Sequence, residues 1–185
     1  MKILVTLCVA VFLPASPAAA AGIRRAQPGP EMERLTKALS GTWSVTVNLA
    51  PNEHRPKGGV RKGEEVWRRG PGGFSLIEDY HSTDEQGEHN GLAIMWWDDN
   101  VHRYQVMWCD DGPPGCMVYA LGATWQGNDL VLRHNWEEGG KKFESRQVTS
   151  DITPTSFRQS SYEGESRGEL KTVFSILASK VTKSN

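Results

Sequence analysis

From Thr42 onward, apolar and polar residues alternate with a period of two in short runs, separated by clusters of glycine, proline, aspartate and asparagine. That pattern belongs to strands with one buried face. Ten segments follow from it: Thr42–Leu49, Val60–Arg69, Gly73–Ser82, His89–Trp97, Val101–Cys109, Cys116–Thr124, Asp129–Glu137, Lys141–Ser150, Ser156–Tyr162 and Glu169–Lys180. Turn chemistry stands between them, as in Gly70-Pro71-Gly72-Gly73, Asp98-Asp99-Asn100 and Gln126-Gly127-Asn128. Gly139-Gly140 between two strands is a two-residue hairpin signal. Helical spacing occurs in one place, Pro30 to Leu39, where proline sits at a tolerated first-turn position and Met32, Leu35 and Leu39 recur on one side. No helical run falls between strands, which argues against parallel βαβ units. The expected fold is all-β: a single up-and-down antiparallel β-barrel of about ten strands with a short N-terminal helix, closed so that no edge is left bare.

Period two also sorts residues by face. Cys109 and Cys116 flank Gly112-Pro113-Pro114-Gly115, a turn that brings them opposite each other, so a disulfide between them places both on one face. Trp108 and Met117 then share the other face with Tyr104, Val106, Tyr119 and Leu121. That aromatic set is expected inside and the cysteines outside. By the same count Phe74, Leu76, Glu78 and Tyr80 face inward, as do Leu130, Leu132, His134 and Trp136, and Leu170, Thr172, Phe174, Ile176 and Ala178. The strands around Val66, Ile94 and Arg146 are undecided by this test. The interior is therefore aromatic but not dry, with Glu78, Tyr104, Tyr119 and His134 inside, and His102 and Gln159 as further candidates. Buried polar groups need partners from protein, water or ligand.

The first residues change the picture of the compartment. Met1-Lys2, an apolar run from Ile3 to Leu13 and the small residues around Ala18-Ala19-Ala20 read as a secretory signal peptide over residues 1–21. The run is too short for a permanent span, which needs about 20 residues. Residues 22–29 read as a flexible leader and residues 30–182 as the barrel domain. Export, to a periplasm or the outside, implies an oxidising environment in which a close cysteine pair bridges. Seven positions separate Cys109 from Cys116, which is not the Cys-x-x-Cys spacing of a redox site. A mature chain of roughly 163 residues buries about two thirds of its unfolded surface, enough for a self-sufficient core. The net charge of -1 gives no global field toward nucleic acid or an anionic membrane. Lys57, Arg61, Lys62, Arg68 and Arg69 are locally basic but are interrupted by Glu64 and Glu65.

Gly41-Thr42-Trp43 follows the helix and opens the first strand; a Trp there can plug the closed end of a barrel while Gly41 lets the chain turn. With Pro30-Glu31-Met32, Gly72 to Tyr80, Gly127 to Leu130 and Asp151-Ile152-Thr153-Pro154, this motif makes the chain resemble an uncharacterised bacterial domain-of-unknown-function family with a calycin-like barrel. The resemblance runs from about Pro28 to Val181 and implies a fold akin to lipocalins and fatty-acid-binding proteins, which hold small, often apolar ligands. It implies no established activity. Lipocalins proper carry a mid-chain Thr-Asp-Tyr loop, absent here, and an arginine of the last strand covering the Trp. The nearest basic candidate in this chain is Lys171, which parity places outward.

Two residues invite sharper chemistry. An inward His134 can be a haem ligand, a general base or a hydrogen-bonded core residue. Glu78 can pair with it as acid and base, or accept from an arginine of a neighbouring strand. His81 and His89 are the nearest approach to a metal pair, but a loop lies between them and no second close pair exists, so no metal site is expected. Gly164-Glu165-Ser166-Arg167-Gly168 spells Gly-x-Ser-x-Gly, but it lies in a turn between two strands and not between a strand and a helix, so it is no nucleophile elbow; there is no phosphate-cradling loop or His-Glu-x-x-His helix. The sequence thus points first to an exported protein that binds an apolar or amphipathic small molecule, with a lining of Glu78, Tyr104, Trp108, Tyr119, His134 and Trp136. No cofactor is called for beyond the haem option, nor a nucleic acid or stable membrane insertion. A barrel-chamber enzyme using Glu78 and His134, or a filled structural module of the envelope, are the alternatives.

Overall fold

The computed structural model describes residues 26–112 and 115–182. The expected signal peptide and the first part of the leader lie outside the described residues, as do Pro113 and Pro114 at the tip of the cysteine turn.

Helix α1 spans Pro30–Leu39 and begins without a side-chain cap; Pro30 supplies the pre-set first turn, with Glu31 and Glu33 near the N-terminus and Lys37 in the last turn, signs that suit the helix dipole. Its buried residues are Met32, Leu35, Thr36 and Leu39, the stripe expected from the spacing.

The strands are β1 (Gly41–Leu49), β2 (Gly59–Arg69), β3 (Ser75–Asp84), β4 (Gly87–Asp98), β5 (Arg103–Asp110), β6 (Cys116–Val118), β7 (Ala123–Gln126), β8 (Asp129–Glu138), β9 (Lys141–Ser150), β10 (Ser156–Glu165) and β11 (Lys171–Lys180). The sheet order is β4-β3-β2-β1-β11-β10-β9-β8-β7-β5-β6, and β4 also pairs with β5. Leaving out β6, the path returns on itself: ten antiparallel strands form a closed barrel, and β6 is an extra strand paired to β5. The expected fold is the observed one.

Several local expectations need correction. The segment Cys116–Thr124 is two strands, not one, because the chain turns between Tyr119 and Gly122, whose N–H donates to the Tyr119 carbonyl at 3.0 Å. Leu121, counted as inward, sits in that turn and is exposed. Phe74 lies before β3, in the tight turn that opens at Pro71, and is 45% exposed; its alternation with Leu76 begins one residue too early. Leu170 likewise precedes β11. His102 occupies the β4–β5 turn with a φ of 51° and is exposed, so it never enters the barrel.

The helix closes one end. Leu35, Leu39, Trp43, Leu76, Tyr104, Leu130 and Phe157 form one buried cluster there. Trp43 is 1% exposed; its Nε1 donates to the Leu39 carbonyl at 2.7 Å, and Phe157 meets it edge-on at 4.9 Å. The cation over its face is not Lys171 but Lys180, the last residue of β11, with Nζ 4.0 Å from the ring centroid and a hydrogen bond to the Ser40 carbonyl. Gly41 has a φ of +127°, a conformation that side-chain-bearing residues rarely adopt, and a Cβ there would also displace the end of that lysine side chain. Trp43, with Gly41 two residues before it, is thus buried at the end of the barrel that α1 covers.

Candidate functional site

Above the plug the inner faces of the strands enclose a cavity of about 600 Å³, within the size range of small-molecule sites. Register decides what lines it. On β3 the inward residues are Leu76, Glu78 and Tyr80; on β2, opposite, they are Arg61, Glu65 and Trp67, since Glu65 pairs with Tyr80 and Trp67 with Glu78. On β4 they are His89, Ala93 and Met95, and on β9 Ser145, Gln147 and Thr149. The strands left undecided by hydrophobic count thus face the cavity with mixed sets, in which Arg61, Glu65 and His89 stand beside Trp67, Ala93 and Met95.

Of the six residues expected to line a ligand, five line the cavity: Glu78, Trp108, Tyr119, His134 and Trp136. Tyr104 does not. It is fully buried in the plug, where its hydroxyl donates to the Glu31 carbonyl at 2.8 Å and accepts from Trp125 Nε1 at 3.0 Å. Parity gave its face correctly but not its height along the barrel. Gln159 lines the cavity, with its Nε2 3.4 Å from Thr149 Oγ1. Cys109 and Cys116 are bonded to each other while their neighbours Trp108 and Met117 turn to the cavity.

Trp108 lies against the wall because its partner strand makes space. A Cβ on Gly91 would collide with the indole ring, so a glycine is required beneath it. The indole Nε1 donates to Asp110 Oδ2 at 2.9 Å. Along β8 and β9, His134, Trp136 and Phe143 stack in sequence, with centroids 5.8 and 5.5 Å apart and planes within 14° and 17° of parallel. Tyr119 meets His134 edge-on at 5.2 Å.

The wall has a slot. Strand β7 bridges β5 and β8, but β6 pairs with β5 alone. Past Arg133, whose N–H reaches the Gly122 carbonyl, the edge of β8 has no backbone partner on the β6 side among the described residues. One bond spans it, Ala120 N–H to His134 Nδ1 at 3.3 Å, which requires the neutral imidazole with its proton on Nε2. Desolvation lowers the His134 pKa below its ordinary value and so favours that form. Met117, Tyr119, His134 and Trp136 border the slot.

The cavity's electrostatics centre on two carboxyls. Glu65 is 2% exposed and, among the described residues, accepts only from Trp67 Nε1, at 3.1 Å; burial, against that bond, pushes its pKa up to about 7. Glu78 is 7% exposed and makes no side-chain hydrogen bond among the described residues. Burial, then repulsion from Glu65 and Asp79, holds it well above the carboxylate range. Among the described residues no arginine pairs with Glu78, the other role considered for it: Arg61 also faces inward but donates from Nε to Asp84 at 3.0 Å, and Arg55 reaches the same carboxylate at 2.8 Å. Despite desolvation, hydrogen bonds from Gln86 N–H, Arg61 and Arg55 bring the Asp84 pKa to about 2. Nor does Glu78 hydrogen-bond His134. Burial pushes Tyr119 up to about 12, with Glu163, Asp110 and Glu78 adding to it.

Glu65, Arg61, His89 and Asp110 were missed by sequence reasoning. The β2 register could have revealed Glu65, once Glu78 was placed, but Val60 and Val66 on the opposite face pulled the hydrophobic count the other way. Among the described residues no group of three or more His, Cys, Asp or Glu is arranged to hold a metal; His81 instead meets Asn90 at 2.8 Å and His89 meets Asp111 at 3.2 Å.

No family model matches the chain, and no curated protein matches it. Among solved structures it is similar to the S-type phycobiliprotein lyase CPES from Guillardia theta, at 12% identity over 83% of this chain and 93% of that one, with a TM-score of 0.53. It also aligns with EF1p2_mFAP2b bound to DFHBI, at 12% identity over 81% of this chain and 99% of that one and a TM-score of 0.43. A redesigned beta barrel, mFAP1, bound to DFHBI, aligns at 15% identity over 80% and 99%, with a TM-score of 0.41. At such identities the lyase likeness establishes the barrel fold and nothing of activity.

Proposed function

We propose that this protein is an exported, calycin-like barrel that holds one apolar or amphipathic small molecule. The observation that carries the reading is the cavity of about 600 Å³, walled by Trp108, Tyr119, Trp136 and Phe174 and sealed at its base by Trp43 and α1. A filled structural barrel has no use for such a space. An interior that combines a large apolar wall with a few convergent polar groups is how small-molecule sites are built. Catalysis by Glu78 and His134 is less well supported, since no hydrogen bond joins them and His134 Nδ1 is taken by Ala120 N–H. The Cys109–Cys116 bond fits an oxidising compartment.

Native mass spectrometry and solvent extraction of the purified mature protein test the reading, with thermal-shift screening against lipids, haem and planar aromatics. Recovery or stabilisation by one class supports it. An empty extract with no stabilisation by any class sinks it, and the absence of a Soret shift on haem addition removes haem.

A further inference from the structure

We propose that the ligand carries a protonable nitrogen on a flat apolar body, and that Glu78 with Glu65 is the point at which that nitrogen docks. The inference rests on the small-molecule reading above and adds the chemical class.

What the cavity lacks is a cation for its acids. Glu65 and Glu78 sit diagonally across the β2–β3 ladder on the inner face, where side chains from both strands converge. A buried carboxyl is ordinarily tied to an arginine, a lysine or several N–H groups. Glu65 has one indole N–H; Glu78 has no side-chain bond among the described residues, though it is more than nine-tenths buried and lines the cavity. Such a pair costs stability in the empty protein, and a donor-rich cation is the complement that removes the cost.

The groups facing the pair from the surrounding strands do not supply that cation. From β2, Arg61 is committed to Asp84. From β4, His89 faces Asp111. The remaining polar titratable groups toward the cavity are Tyr80 on β3, Asp110 on β5, Tyr119 after β6, His134 on β8 and Glu163 on β10, which add more acids than bases. Strands β1, β9 and β11 present only uncharged residues inward, such as Val47, Gln147 and Ile176. The cavity thus selects against a carboxylate ligand and for a nitrogen base. The ring of Trp108 and the apolar wall that Tyr119 and the His134–Trp136–Phe143 stack form suit a planar body.

The test compares three probes of one shape on the mature protein at pH 7.5 by titration calorimetry: 2-naphthylethylamine, 2-naphthylethanol and 2-naphthylacetate. The amine should bind at least about tenfold more tightly than the alcohol, as a charge-assisted bond in place of a neutral one implies, and the acetate most weakly. In buffers of different ionisation heat, amine binding should release protons as the carboxyl pair ionises, and alcohol binding should not. Glu78→Gln should bring the amine down to the alcohol's affinity, and Glu65→Gln should act in the same direction. Asp79→Asn, on the outer face beside Glu78, should leave the preference intact. Equal affinities of amine and alcohol, or a preference that survives both glutamine variants, overturns the inference while leaving the cavity reading in place. Failure of all three probes to bind, together with an empty extract, overturns both.

Discussion

The base of the barrel and the cavity above it are built from similar residues and behave as opposites. At the base the aromatic polar atoms are answered, Trp43 by the Leu39 carbonyl, Trp125 by Tyr104 and Tyr104 by Glu31, and the groups left open there are two uncharged hydroxyls, those of Thr36 and Ser40. In the cavity Glu78 is left without a side-chain partner and Glu65 has a single donor. Buried polar groups that are satisfied make a unique, rigid core, and those left open are costly unless something else completes them. The difference assigns stability to one end of the molecule and binding to the other, a division that single substitutions can break.

The largest effect belongs to the plug. Trp43→Ala removes the side chain on which Phe157, Lys180 and the Leu39 carbonyl converge, and should cost about 3–5 kcal/mol in denaturant unfolding. Trp136→Ala, at the slot, is expected to cost less than about 1 kcal/mol while weakening ligand affinity. Comparable losses from the two variants would erase the division.

Glu65→Gln has the opposite sign. A carboxyl whose folded pKa is raised binds protons better folded than unfolded, so its neutral form is tolerated at low pH and its ionisation destabilises as pH rises from about 4.5 to about 7. Glutamine keeps the acceptor for Trp67 Nε1 without the charge. The variant should match the parent at pH 4 and exceed it at pH 8 by about 3 kcal/mol, because each tenfold difference in proton affinity between the folded and unfolded chain is worth about 1.36 kcal/mol. Thermal melts at the two pH values decide it; a variant less stable at pH 8 would mean that Glu65 is an answered core group like those at the base.

How much of this division was visible in the residues depended on the strand. Alternation put Trp108, His134 and Trp136 toward the cavity because each sits in a strand whose two faces differ sharply in apolar content, and Tyr119, just past the end of β6, keeps the parity of that strand. It gave Tyr104 the right face and the wrong role, since period two carries no information on height along the barrel, and height decided whether an inward aromatic met α1 or the cavity. In β2 the inner face holds Arg61 and Glu65, the outer one Val60 and Val66, so the count could not find half of the carboxyl pair. The break after Val118 depends on how β7 is shared between β5 and β8, a long-range fact. Lys180 was passed over because a charged residue at a strand end carries no apolar signal, although alternation puts it on the face of Ile176 and Ala178 and the register sets it directly opposite Trp43.

Tyr104→Phe tests the reassigned residue. Removing the hydroxyl strips the Glu31 carbonyl of a donor and leaves Trp125 Nε1 without its acceptor, which should destabilise by about 1–2 kcal/mol. Ligand affinity should be unchanged in the same titrations that Trp136→Ala weakens. A loss of affinity without a loss of stability would return Tyr104 to the cavity wall.

The smallest effect is at the slot. The Ala120 N–H to His134 Nδ1 bond exists only while the imidazole is neutral, and desolvation already lowers the His134 pKa. A histidine with a depressed folded pKa contributes stability at high pH that is lost as pH falls from about 6.5 through the folded value. One partly exposed hydrogen bond is at stake, so the expected change is about 0.5–1 kcal/mol and local. It should appear as a falling protection factor for the Ala120 amide in hydrogen exchange between pH 7.5 and pH 5, while the amides of Trp43 and Val45 in β1 hold theirs. In His134→Phe the Ala120 amide should be weakly protected at both pH values. A pH-dependent loss that persists in that variant would assign the titration elsewhere, with Glu163 facing the same cavity as the next group to replace.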